Sequence, residues 1–186
     1  MEVISFISRH DFRVWLAKNH GESDGLWLRI YKKGTDVDTV TYAEALDQAL
    51  CFGWIDGQKK PYDDHSWLQK FTRRRPNGGW SKKNTEHAER LIKDGEMRAA
   101  GLREVKSAKA DGRWTAAYDA FSKAAIPDDF LKELAQNQKA FAFFETLNKT
   151  NRYSIAYRLQ TAKKPETRAR RIQAIIEKLS RSEKFH

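Results

Sequence analysis

The densest run of chemistry-bearing side chains is Arg73–Asn84, ArgArgArgProAsnGlyGlyTrpSerLysLysAsn. Consecutive arginines offer planar, permanently charged forks that match both oxygens of a phosphate or carboxylate. Gly78 and Gly79 make a flexible passage into a helix whose N-cap is Ser81. A helix N-terminus attracts anions through its unpaired N–H groups and its dipole, and Trp80 adds a stacking face. Arg73, Arg74, Arg75, Trp80, Ser81, Lys82 and Asn84 are therefore the expected anion-binding residues, with Lys83 in the same run. The competing reading is a solvated charged loop in which Ser81 only caps a helix. The phosphate-binding pattern GxxxxGK[ST] is absent.

Upstream, Ala49–Gly57 reads AlaLeuCysPheGlyTrpIleAspGly. Trp54 and Asp56 share one face of a strand, where they would line a pocket with Asp56 as acceptor or base. Alternatively, Trp54 is core and Asp56 accepts from a local turn. Cys51 is the obvious nucleophile, yet it lies near the end of an apolar helix, where a cysteine packs as a small hydrophobe. No histidine stands beside it in the sequence to lower its pKa. Asp63, Asp64 and His65 are adjacent in a turn and do not have ligand spacing, so neither a metal nor a cofactor is expected.

The elements around these residues follow from periodicity. His10–His20 repeats at helical spacing, Gly25–Lys33 alternates as a strand, and Thr41 with Glu44 forms a capping box. The ensuing helix buries Tyr42, Ala45, Leu46, Ala49 and Leu50 and ends at Gly53. A hairpin through Pro61–His65 returns along Trp67, Gln69 and Phe71. Lys82–Asp94 is helical with Ala88, Leu91 and Ile92 inward, and Arg98–Asp111 forms a second helix ending at Gly112. Beyond Trp114 the pattern is helical only. Phe130, Leu131 and Leu134 mark one helix, Phe141, Phe144 and Leu147 another, and Tyr153, Ile155, Ala156 and Leu159 a third. The last begins near Pro165 and buries Ile172, Ile175, Ile176 and Leu179. The expected fold class is α+β: a small antiparallel sheet with helices over residues 1–112, then an all-helical C-terminal module over 113–186.

The 186 residues carry a net charge of +10, unevenly placed. From Gln58 to Asn84 there are eight Lys/Arg against two Asp, and from Arg152 to His186 ten against three Glu. Those segments hold +6 and +7, so the rest of the chain sums to −3. Such asymmetry suits an anionic partner, because a basic patch concentrates anions and speeds their association. The last helix sets Arg168, Arg170, Arg171 and Lys178 beside its apolar stripe, which fits either nucleic acid or plain solvation. No apolar run approaches the roughly 18 residues of a membrane span. The start, MetGluValIleSerPheIleSerArgHis, lacks a basic n-region and a long apolar h-region. One cysteine precludes an internal disulfide. A cytoplasmic location is expected.

LeuAspGlnAlaLeuCysPheGlyTrpIleAspGly, followed by PheThr, Arg74–Arg75–Pro76 and Trp80–Ser81, resembles the YdeI/OmpD-associated family, also called bacteriocin-protection proteins. GlyGluMetArgAlaAlaGlyLeu at Gly95–Leu102, GlyArgTrp at Gly112–Trp114 and AlaLysLysProGluThrArgAlaArgArgIle at Ala162–Ile172 extend the likeness over nearly the whole chain. The resemblance implies a small bacterial α+β protein with a helical C-terminal module and a role in stress or resistance. It supplies no catalytic residues. The family pattern has Pro where Arg73 stands and Ser where Gly78 stands, which implies a more basic and more flexible loop here.

Together these readings predict a non-enzymatic protein that binds an anionic small molecule or polyanion at Arg73–Asn84, near Trp54 and Asp56. Two alternatives stay open: a nucleic-acid-binding protein, with both basic segments on one face, and an enzyme using Asp56 or Cys51.

Overall fold

The computed structural model describes residues 1–119 and 125–185. Contacts divide the chain into two compact units, Met1–Thr115 and Ala116–His186.

The first unit is built on a sheet. Strands β1 (Val3–Ile4), β2 (Leu26–Tyr31), β3 (Trp54–Pro61) and β4 (Ser66–Arg73) lie in the order β1-β2-β4-β3. The β2–β4 and β3–β4 pairs are antiparallel, and β1 adds a parallel edge to β2. Alternation on β2 sends Leu26, Leu28 and Ile30 to the core face, opposite Phe71, Gln69 and Trp67 of β4. Helices α1 (Arg9–Asn19) and α2 (Tyr42–Cys51) cover that face, with Phe12 against Phe71 and Trp15 edge-on to Trp54. Helices α3 (Lys82–Lys93) and α4 (Ala99–Ala110) pack on α2.

Local signals set the ends of these elements. Thr41 Oγ accepts from the Glu44 N–H while the Glu44 carboxylate takes the Thr41 N–H, and Ser8 and Asp11 repeat this box on α1. Such boxes satisfy N-terminal N–H groups that have no intrahelical partner. Gly53 stops α2 at φ +74°, a left-handed conformation that costs a residue without a Cβ little. The turn sends the chain straight into β3.

Gln69 is buried, which its polarity alone would disfavour. A bulge in β3 between Asp56 and Lys59 accounts for it: the Gln69 side-chain amide donates to Gly57 O at 2.9 Å and Gln58 O at 3.3 Å. The side chain thus replaces ladder bonds that the bulge removes.

The second unit is helical: α5 (Asp128–Leu134), α6 (Gln138–Glu145), α7 (Lys149–Gln160) and α8 (Pro165–Ser180). Its core joins Phe130, Leu134, Phe144, Ile155 and Leu159 to the α8 stripe of Ile172, Ile175, Ile176 and Leu179. The α+β reading with a helical C-terminal region is what the structure shows. Two apolar positions expected inward are exposed instead, Ile92 on α3 and Phe141 on α6. Each flanks its buried stripe, where period alone does not fix how wide the covered face is.

Candidate functional site

Trp54 follows Gly53 directly and is fully buried. Its indole N–H donates to His20 O at 3.1 Å, which ties the end of α1 to the start of β3. Asp56, two residues on along the same face, accepts from the Tyr42 hydroxyl at 2.8 Å. Burial and the adjacent Asp56 carboxylate push the Tyr42 phenol far above its usual range, so it is a fixed donor. Trp54 therefore forms the wall behind the surface, and Asp56 is held by a helix side chain.

The arginine run divides by residue. Arg73, in register with Trp54, donates to Asp24 at 2.9 Å and to Gly21 O at 3.1 Å. Arg74 is 8 % exposed, lies 3.5 Å from the Trp80 ring centroid and donates to Gly79 O. Trp80 is buried between that guanidinium and Trp114, whose ring centroid is 4.9 Å away. A second buried arginine, Arg113, donates to Gly78 O at 3.1 Å and to the Asp111 carboxylate at 2.7 Å. Arg75 and Lys82 are exposed on either side of this joint. Ser81 Oγ caps α3 by accepting from the Asn84 N–H at 3.2 Å, and Asn84 is buried.

Neither Gly78 nor Gly79 adopts positive φ; Asn77 does, at 63°. Pro76 and Asn77 are the central residues of a turn closed by Gly78 N–H donating to Arg75 O at 2.9 Å. Proline then a left-handed residue is the type II pattern. A Cβ on Gly78 would sit 3.0 Å from Arg75 O, so the glycine serves a close approach.

Arg73 and Arg74 nonetheless reach a common space. With Arg103 of α4 and His20 at the end of α1 they line a cavity of about 280 Å³, whose lining also includes Phe52, Gly53 and Glu104. Arg74 is locked there by its own N–H donating to Gly53 O at 3.0 Å. Trp54 holds His20 through the backbone. Trp80, Ser81 and Asn84 hold the strand-to-helix joint, while Asp56, Arg75 and Lys82 are outside the lining. His20 and Arg103 were missed from the sequence because both lie more than 25 residues from the arginine run.

Cys51 is buried, and burial pushes its thiol up, opposed by the Arg13 guanidinium. A thiol in that state is a poor nucleophile at neutral pH. Asp63 accepts from the His65 N–H and the Ser66 hydroxyl and pairs with Arg29 at 2.6 Å, so it organises its turn. Among the described residues, no three His, Cys, Asp or Glu side chains gather as metal ligands. No helix among them is long and apolar enough to cross a membrane.

Two sequence families match the chain. Residues 4–104 match a domain of unknown function, DUF8412, and residues 115–182 match the family described as Bacteriocin-protection, YdeI or OmpD-Associated. The chain belongs to the DUF8412 family, whose match spans more than half of it, and its C-terminal stretch matches the YdeI/OmpD-associated family. No curated protein and no solved structure matches it. Ala162–Ile172 lies inside the YdeI/OmpD-associated stretch, whereas Ala49–Gly57 and the arginine run lie in the DUF8412 domain. The cavity is thus a feature of the DUF8412 domain, and the YdeI/OmpD-associated module is the bundle of α5–α8.

Proposed function

We propose that this protein binds a compact anionic group, a phosphate or carboxylate, without transforming it. The observation that carries the reading is the convergence of Arg73, Arg74 and Arg103 with His20 on one small cavity. Guanidinium forks suit such oxyanions. Arg103 makes no ion pair with any described carboxylate and is the donor most available to a ligand. Asp24 and Glu104 offset part of the charge, which favours a modest affinity. The resistance-related role named in the description of the YdeI/OmpD-associated family is part of the same proposal, as is a cytoplasmic location.

A second reading has its own support. Lys60 lies 4.3 Å from the Trp27 ring centroid and Lys59 4.1 Å from that of Trp67, a mixture of cations and rings that single-stranded nucleic acid also uses.

Tryptophan fluorescence separates the two, since all six tryptophans lie between Trp15 and Trp114. Titration with inorganic phosphate should perturb the emission, and Arg103→Ala should weaken binding about tenfold, the worth of one charge-assisted hydrogen bond. Unchanged affinity in Arg103→Ala would sink the cavity assignment. Tight binding of single-stranded RNA that collapses steeply with salt would favour the second reading.

A further inference from the structure

The helical module contains a larger opening. A cleft of about 850 Å³ lies between α7 and α8, within the roughly 300–1,000 Å³ of ordinary small-molecule sites. Tyr153, Tyr157 and Arg158 line it from α7, Arg171 and Lys178 from α8, and Phe185 from the C-terminal segment. The Phe185 N–H donates to Asn151 Oδ1 at 2.8 Å, which pins that segment against α7.

The charges in the cleft are poorly compensated. Arg171 donates to Arg158 O and, at 3.1 Å, to Thr161 Oγ1, both neutral oxygens. The Arg158 guanidinium lies 5.0 Å from the Phe185 ring centroid. Neither arginine has a carboxylate within ion-pair distance among the described residues. Lys178 approaches Glu183 at 3.5 Å and is partly neutralised. By contrast, Arg168 of the same helix holds both oxygens of Asp129 at 2.6 Å. Two guanidiniums facing one cleft with no counter-charge among the described residues repel each other and favour an added anion.

The remaining lining sets what kind of anion. Tyr157 meets the Tyr118 ring edge-on at 4.9 Å and lies 6.1 Å from Tyr153. Burial raises the Tyr153 phenol, which keeps it neutral. A bare phosphate would leave this aromatic wall in water. We propose that the α7–α8 cleft binds a small organic anion whose phosphate or carboxylate is taken by Arg158 and Arg171 and whose planar body packs on Tyr153 and Tyr157. This site shares no residue with the Arg73–Arg74–Arg103 cavity and stands independently of it.

The test is an amide-shift NMR titration of the full chain with adenosine monophosphate, adenosine, benzoate and inorganic phosphate. The expected result is saturable shifts confined to α7, α8 and the Phe185 segment with the joined ligands. Adenosine and phosphate alone should each bind at least tenfold more weakly than the monophosphate. Arg158→Gln should cost at least tenfold with an unchanged melting temperature, and Arg171→Lys should lose affinity while keeping the charge. Saturation by the monophosphate but not benzoate would identify the group as phosphate, and the reverse as carboxylate. The proposal is overturned by no shift on α7 or α8 at millimolar ligand, by equal affinity in Arg158→Gln, or by inorganic phosphate binding as tightly as the joined ligands.

Discussion

Two arginine clusters in this protein have similar composition and opposite bonding. In the strand-to-helix joint of the N-terminal unit, Arg74 is stacked on Trp80 and Arg113 is bonded to Asp111, Ser107 and Gly78 O. Both are almost wholly buried; the Arg113 donors hold the protein together, while Arg74 stacks on Trp80 and also lines the small cavity. In the C-terminal cleft, Arg158 and Arg171 meet rings and neutral oxygens and no described carboxylate. A buried guanidinium with satisfied donors costs much to disturb and has little left for a ligand. An uncompensated one at a cleft has the reverse balance. Arginine density in the sequence therefore does not locate an anion site; the remaining bonding capacity does.

The largest test of that contrast is Trp80→Ala. Removing a fully packed indole between Arg74 and Trp114 should cost about 3–5 kcal/mol of unfolding free energy in urea. A loss under about 1 kcal/mol would show the joint to be an ordinary loop. Next comes Arg113→Ala, which removes the side-chain donors to Gly78 O and Asp111 and leaves the backbone N–H of residue 113 on the Asp111 carboxylate. Asp111 is half open to water, so the expected loss is about 1–3 kcal/mol by the same measurement. Arg158→Gln, on the other side of the comparison, should change stability by less than about 0.5 kcal/mol. A melting shift as large as that of Arg113→Ala would erase the distinction.

The smallest effect is a pH dependence in the helical unit. The side-chain hydrogen bond from Arg168 holds the Asp129 carboxyl below its usual 3.8. A folded pKa below the unfolded one gives stability that is full above about pH 4 and lost as pH falls through the lowered value. Both side chains are substantially exposed, so solvent screening keeps the gain within about 1 kcal/mol. Urea unfolding of wild type and Asp129→Asn at pH 6 and at pH 2.5 checks this: the wild-type advantage should be present at the first and smaller at the second. Cys51 supplies a kinetic counterpart. Native labelling by a thiol reagent should run far slower than in urea, and fast native labelling would show that the C-terminal end of α2 opens.

Signals carried within a few residues were legible in the sequence. The Thr41–Glu44 box, the left-handed stops at Gly53 and Gly112, the Ser81 cap and the apolar stripe of α8 all stand where spacing put them. The two-residue strand β1 was not legible, because so short a segment has no period and exists through its parallel pairing with β2. The flexible role expected for Gly78 and Gly79 passed to Asn77, because the Pro76–Asn77 turn already supplies the reversal.

The candidate sites divide along the same line. Sequence alone determined the fold class, the basic character of two segments and the end of α2 that leads into Trp54, since each depends on neighbours along the chain. Tertiary structure alone decided which cations spend their charge internally. Arg73 finds Asp24 at a separation of 49 residues, Arg113 finds Gly78 at 35, and Arg171 turns to Arg158 across α7 and α8. Those pairings are set by how sheet and helices bury their apolar faces, and a charged side chain binds whichever partner that packing brings within reach.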